Sequence, residues 1–121
     1  ENRFNDFLKD GMRIFAVFDG DRLVGMLDSE PVDYGFSVGD TTALNLSDIF
    51  IEPAYRGSGI AAALLKFAND ELKKSGIKRL FVMHGTVNPT ARGFWDKYFT
   101  NFCYSITRLI DADMLGKIKS V

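Results

Sequence analysis

The residues best suited to chemistry stand together in one short stretch, Arg56-Gly57-Ser58-Gly59-Ile60-Ala61. A predicted strand ends just ahead of it and a predicted helix opens within it. The first four amides of an α-helix have no partner inside the helix. They lie at the positive end of the helix dipole, where a phosphate group can be held by main-chain N–H donors. Glycine lets a ligand approach the backbone closely, and Arg56 adds a fixed positive charge at the rim. The chemistry this implies is binding of a phosphorylated ligand. His84 and Cys103 are each the single residue of their type. A structural zinc site takes about four Cys or His ligands, so no metal is expected, and one Cys forms no intrachain disulfide. His84 shares a strand face with Leu80 and Val82 and reads as a partly buried structural histidine. Cys103, in the aromatic stretch Phe99 to Tyr104, reads as a small buried apolar residue.

Several nucleotide motifs compete for the glycine-rich turn. A Walker loop needs G-x-x-x-x-G-K-[ST], and no such string is present. The dinucleotide fingerprint G-x-G-x-x-G/A is met by Gly57-Ser58-Gly59-Ile60-Ala61-Ala62. It lacks the ribose-binding acid due about 20 residues on, since the chain after Gly76 reads Ile-Lys-Arg-Leu-Phe-Val. The Pro-Ala-Tyr spacer after the strand is also longer than that motif uses.

The elements that must position this turn follow from periodicity. Gly57–Ser75 predicts a long helix, with Ile60, Ala61, Leu64, Leu65, Ala68 and Leu72 at a 3.6-residue period. Lys73 and Lys74 suit its C-terminal end, and Gly76 stops it. Ala43–Ile51 predicts the strand before the turn, ended by Pro53. Leu80–His84 predicts the strand after the helix, parallel to Ala43–Ile51. Upstream, Arg13–Phe18 and Leu23–Leu27 flank Asp19-Gly20-Asp21 and predict a β-hairpin, with Gly25 marking a bulge or a close backbone approach. Phe4, Phe7 and Leu8 at i, i+3, i+4 predict a short helix over Asn2–Asp10, stopped by Gly11. Pro31–Thr42 reads as a loop with an irregular strand through Tyr34–Val38. Pro89–Tyr98 predicts a helix, Phe102–Ile110 a final strand, and Ala112–Ser120 a helical tail.

Composition narrows the function. The chain has 121 residues, enough for one domain with one core, with 46% apolar and 26% charged residues. The net charge of -1 offers no basic footprint for nucleic acid and argues against an anionic membrane surface. No apolar run approaches the ~20 residues that span a bilayer. Without a visible secretory signal or cysteine pairs, a cytoplasmic setting is expected. The sequence begins at Glu1 rather than Met, so a fragment of a longer chain is one reading.

Arg56-Gly57-Ser58-Gly59-Ile60-Ala61 resembles the acetyl-CoA signature Q/R-x-x-G-x-G/A of the GNAT superfamily of N-acetyltransferases. The preceding Ile49-Phe-Ile-Glu-Pro-Ala-Tyr is similar to that family's strand and turn. Downstream, Asn88-Pro-Thr-Ala91-Arg-Gly-Phe94-Trp95 resembles its N-x-x-A-x-x-F-Y segment. The resemblance covers roughly residues 10–100. It implies an α/β fold: a GNAT-like mixed sheet with a β-hairpin, a splayed parallel strand pair and flanking helices. No clear first strand and helix precede Asn2, so the first strand of the family is expected to be missing or supplied from elsewhere. Residues 1–121 are expected to form a single acetyltransferase-like domain.

The resemblance also implies roles. Acetyl-CoA is the acyl donor, and a small-molecule amine or a protein amine is the acceptor. Coenzyme A lies between the splayed strands, contacting Ile49, Phe50 and Ile51, with the amides of Arg56, Gly57, Ser58, Gly59, Ile60 and Ala61 on its pyrophosphate and Asn88 and Ala91 nearby. The acceptor amine must lose a proton. Asp48 is the first candidate for the base, on an alternating strand opposite to Ile49 and Ile51, and Glu52 is the second, with an ion-paired role as its alternative. An amide at a bulge near Ile51 would stabilise the oxyanion. The family's thiolate-protonating Tyr is here Trp95, for which core packing is expected; Tyr98, one turn on, is the substitute. An exposed sheet edge would favour a homodimer. The rival readings are a non-catalytic acyl-CoA-binding or interaction domain of a larger protein and, less well supported, a dinucleotide-binding module.

Overall fold

A computed structural model describes residues 2–9, 12–32, 39–83 and 93–100. The chain divides into two compact units, Glu1–Gly85 and Thr86–Val121. In the first unit the described residues form strands β1 (Asn2–Lys9), β2 (Met12–Asp19), β3 (Arg22–Pro31), β4 (Ala43–Ile51) and β5 (Arg79–Val82). One helix, α1 (Ile60–Lys74), joins β4 to β5. The sheet order is β1-β2-β3-β4-β5. The first three pairings are antiparallel and β4–β5 is parallel. This is the mixed sheet with a hairpin and a parallel pair that the sequence implies.

Asn2–Lys9 is a strand and not a helix. It pairs with β2 without a break, from Asn2↔Asp19 to Lys9↔Met12. The spacing of Phe4, Phe7 and Leu8 suggests a helical face, but Phe7 and Leu8 stay exposed. Phe4 instead packs against Phe67 of α1, with ring centroids 5.4 Å apart. An available β2 edge supplies a full ladder of hydrogen bonds, which outweighs a weak local helical preference. A strand therefore does precede the hairpin.

The hairpin tip is as expected, with Gly20 at φ 61° between Asp19 and Asp21. β3 runs on to Pro31, into the segment read as loop from the sequence. Residues 33–38, which include all of the irregular strand expected through Tyr34–Val38, lie outside the described residues.

The core lies between the sheet and α1. Phe15, Val17, Leu27 and Leu46 from the strands are buried with Leu64, Ala68 and Leu72 from the helix. Phe15 meets Phe67 edge-on at 6.0 Å. Burying one such large apolar side chain is worth about 1.5–3 kcal/mol. The helix ends as its sequence dictates. Gly76 takes φ 87°, its amide donates to the Lys73 carbonyl at 3.1 Å, and the Ile77 amide donates to Leu72 at 3.1 Å. That is the paired C-terminal bonding which a left-handed glycine makes possible. Arg13 of β2 fixes this end to the sheet: it donates to Asp6 of β1 (Nε–Oδ1 2.9 Å) and to Ser75 Oγ (2.5 Å).

In the second unit, residues 93–95 are helical and 96–98 form a turn. The expected helix over Pro89–Tyr98 has therefore ended by Trp95; residues 89–92 lie outside the described residues. So do Phe102–Ile110 and Ala112–Ser120, expected as strand and helical tail.

Candidate active site

β4 stops at Ile51, and Pro53–Tyr55 turns once as a 3-10 helix. Pro53 has no N–H to extend the ladder and its fixed φ suits a helical first turn. Gly57 and Gly59 follow at φ 78° and 85°, with Gly59 as the N-cap of α1. The glycines thus precede the helix and do not open it, as their spacing had suggested. A side chain at either would be strained by the left-handed backbone. A Cβ at Gly57 or Gly59 would still meet nothing within 4 Å, so the space in front of them is open.

The N-terminal end of α1 is uncapped. Among the described residues no side chain bonds it, and the Ser58 hydroxyl donates backward to the Tyr55 carbonyl. The first helical bond is Ala63 N to Gly59 O at 3.0 Å. Among the described residues no close, well-aligned acceptor meets the amides of residues 57–62. Arg56 lies at the edge of this amide cradle, held by a bond from its Nε to the Ile51 carbonyl at 3.0 Å.

β4 forms the wall leading to the cradle. Glu52 N donates to Val24 O at 2.8 Å, and Gly25↔Ile51, Met26↔Phe50 and Leu27↔Ile49 are paired. In an antiparallel ladder, residues alternate between bonding the partner and turning their peptide groups away. The Glu52 bond sets the phase: Phe50 bonds β3, whereas Ile49 and Ile51 turn their N–H and C=O toward the β5 side. The β4–β5 ladder is described as far as Leu46↔Val82, so among the described residues Ser47–Ile51 has no strand on the side away from β3. On that side the peptide groups of Ile49 and Ile51 meet no strand partner among the described residues. The Ile51 carbonyl is taken by Arg56, leaving its amide. Phe50 differs, since its backbone is used in the sheet and its ring is half exposed. Gly25 faces this wall at close range. A Cβ there would lie 2.8 Å from both Ile51 Cδ1 and Val17 Cγ1, and Val24 is the extra residue between the Val17↔Gly25 and Phe18↔Leu23 pairs. Both readings of Gly25, bulge and close approach, hold.

A second bulge interrupts β4. Between Leu27↔Ile49 and Ser29↔Leu46, β3 advances two residues and β4 three. Ser47 and Asp48 thus occupy the bulge, just past the last described rung of the β4–β5 ladder. The irregularity lies here and not at Ile51, where the oxyanion amide was expected. Asp48, the first candidate base, has its backbone at this junction. Glu52, the second, is held by the Arg22 guanidinium, with Nε to Oε2 at 3.0 Å, in the ion-paired role named as its alternative. Next to it, the Tyr55 hydroxyl donates to Asp19 Oδ2 at 2.6 Å, and the aspartate holds the tyrosine proton so that its pKa lies above the ordinary value.

Sequence reasoning missed Ser47, whose hydroxyl oxygen is buried without a hydrogen-bond partner among the described residues, and both side-chain ties to the hairpin. No spacing rule connects Tyr55 to a residue 36 positions away. Asn88, Ala91, His84 and Cys103 lie outside the described residues. In the second unit, Trp95 packs edge-on against Phe94 and Phe99, with centroids 4.9 and 5.4 Å away, which is the packing role expected of it. Tyr98 is half exposed, its ring 5.2 Å from Phe94.

A parallel strand pair joined through a glycine-led helix matches in fold a class of N-acetyltransferases. Solved structures of this class share the fold. An aminoglycoside acetyltransferase, AAC(6')-Iy, in complex with a CoA-linked bisubstrate analogue is 17% identical, with 86% of this chain and 72% of that one covered and a TM-score of 0.70. The aminoglycoside acetyltransferase meta-AAC0020, from an uncultured soil metagenomic sample, is 16% identical, with 86% and 67% covered and a TM-score of 0.66. The Escherichia coli ribosomal-protein alanine N-acetyltransferase is 20% identical, with 74% and 53% covered and a TM-score of 0.61. No curated protein matches the sequence. The acetyltransferase (GNAT) family matches residues 1–99, and the chain belongs to that family. Its chemistry is accordingly acetyl transfer from acetyl-CoA to an amine. Among the described residues no helix is long and apolar enough to cross a membrane.

Proposed function

We propose that this protein acetylates a primary amine by direct attack on acetyl-CoA, with the diphosphate of the donor held by the amides of residues 57–62. The observation that carries this reading is the open amide cradle, set beside a wall whose Ile49 and Ile51 peptide groups turn away from β3, to a side with no strand among the described residues. A phosphate oxygen is a strong acceptor and carries the charge that a helix N-terminus favours. The pantetheine arm, an extended chain bearing amides, would then lie along Ile49–Ile51 as a strand lies along a sheet edge.

In this mechanism the amine nitrogen attacks the thioester carbonyl carbon. The C–N bond forms, the C–S bond breaks, and the electron pair leaves on sulfur. The amine proton passes to Asp48, directly or through water, because an alkyl amine with pKa ~10.4 is mostly protonated and unreactive at neutral pH. The thiolate of a thiol with pKa ~8.5 is an adequate leaving group, and Tyr98 supplies a proton to it where one is needed. Asn88 and Ala91 contribute at the pantetheine. The acceptor is a small amine or a protein amine, the two kinds of substrate named for the structural neighbours. The setting is the cytoplasm, in which residues 1–121 act as one domain, with the outer edge of β1, unpaired among the described residues, able to support a homodimer.

Thermal denaturation with acetyl-CoA and with NAD tests the ligand class. Acetyl-CoA raises the melting midpoint and NAD does not; no rise with any CoA thioester overturns the reading. Release of free thiol across a panel of amines tests turnover. Ligand binding without turnover on any amine would favour a non-catalytic acyl-CoA-binding domain.

A further inference from the structure

We infer that the Ser47 hydroxyl is a binding group for the acyl-pantetheine arm, donating to a carbonyl oxygen at the thioester end of the cleft. This rests on the acetyl-CoA reading above. Ser47 Oγ is buried and finds no hydrogen-bond partner among the described residues. Native structures rarely leave a buried hydroxyl unpaired, because its lost hydration is then uncompensated. An orphaned group of this kind in a binding protein points to a partner that arrives with the ligand.

Its place in the fold identifies the partner. Ser47 follows Leu46, whose pairing with Val82 is the last described rung of the β4–β5 ladder. It belongs to the bulge that separates the regular halves of β4. The diphosphate cradle lies beyond the other end of the wall, after Ile51. Strands rise about 3.3 Å per residue, so Ser47 stands roughly 13 Å from Ile51 along the strand. A donor whose diphosphate sits on residues 57–62 and whose arm follows β4 brings its acyl end toward Ser47 and not its nucleotide. Carbonyl oxygens are the acceptors available on that arm, and the hydroxyl is the donor. The residue is only partly buried as a whole. Rotation about its Cα–Cβ bond between staggered positions redirects the hydroxyl without moving the backbone.

The test compares wild type, Ser47→Ala and Ser47→Thr, each with acetyl-CoA and with adenosine 3′,5′-bisphosphate, which lacks the arm. Ser47→Ala is expected to keep the ligand-free melting midpoint or raise it, since it removes an unpaired hydroxyl. It is expected to weaken acetyl-CoA binding about tenfold, as loss of one hydrogen bond does, and to leave affinity for the bisphosphate unchanged. Ser47→Thr, which keeps the hydroxyl, recovers part of the loss. A lowered ligand-free midpoint in Ser47→Ala shows that the hydroxyl has a structural partner and overturns the inference. Equal acetyl-CoA affinity in wild type and Ser47→Ala overturns it as well, as does an effect confined to the KM of the amine. Failure of wild type itself to bind acetyl-CoA is a separate result and removes the underlying reading.

Discussion

The Tyr55 hydroxyl donates to Asp19 Oδ2 at 2.6 Å, tying the turn that carries the amide cradle to the tip of the β2–β3 hairpin. The adjacent Arg22–Glu52 pair makes a second tie between the same two segments. Neither group faces the reaction, and both fix where the cradle sits relative to β4. Tyr55→Phe is therefore expected to raise the KM for acetyl-CoA several-fold with little change in kcat, read from initial rates at saturating amine. The bond also has a pH signature. The tyrosine pKa is raised in the folded protein, so its contribution to stability is complete below about pH 10, the ordinary value. It is lost as pH rises through the folded value. Melting midpoints should converge between wild type and Tyr55→Phe in strong alkali and differ at neutral pH.

Gly59 holds φ 85° at the N-cap of α1 with open space beyond it. Gly59→Ala should cost about 1–2 kcal/mol of stability from the left-handed backbone alone. It should also weaken acetyl-CoA, because relief of the strain swings cradle amides away. Gly59→Asn, which tolerates this conformation better, should lie between the two in both chemical denaturation and ligand titration.

Gly25 is limited by contact and not by its backbone angle. Its missing Cβ leaves room for Ile51 Cδ1 and Val17 Cγ1, with the Phe50 carbonyl 3.3 Å from where that carbon would be. Gly25→Ala should destabilise by about 1–3 kcal/mol, the usual cost of overpacking. The strain falls on Ile51, so acetyl-CoA affinity should drop alongside stability. Urea denaturation and ligand-induced thermal shifts on the same variant separate the two effects.

Asp48 is the proposed base. Asp48→Asn should lower kcat/KM for a protonated amine about 10²–10⁴-fold at neutral pH while leaving acetyl-CoA affinity near wild type. The loss should shrink as pH approaches the amine's own pKa of ~10.4, where the substrate arrives deprotonated. An unchanged rate at neutral pH would transfer the role to another group.

The division between sequence and tertiary structure follows the range of the forces involved. Ile60, Leu64, Leu65, Ala68 and Leu72 recur at a helical period, and all five are buried along α1. Gly20, Pro53 and Gly76 punctuate the chain where they stand, because their backbone restrictions act within a few residues. The family and the glycine-led cradle were legible for the same reason: they are written in contiguous residues. Asn2–Lys9 became a strand because β2 offered it an edge, a fact no local spacing records. The bulge at Ser47 and Asp48 exists only as a mismatch in count between two strands. The ties from Asp19 to Tyr55 and from Arg22 to Glu52 join residues 36 and 30 positions apart. Such contacts are decided when the sheet assembles, since only then are these side chains close enough for hydrogen bonds to outweigh the entropy of ordering them.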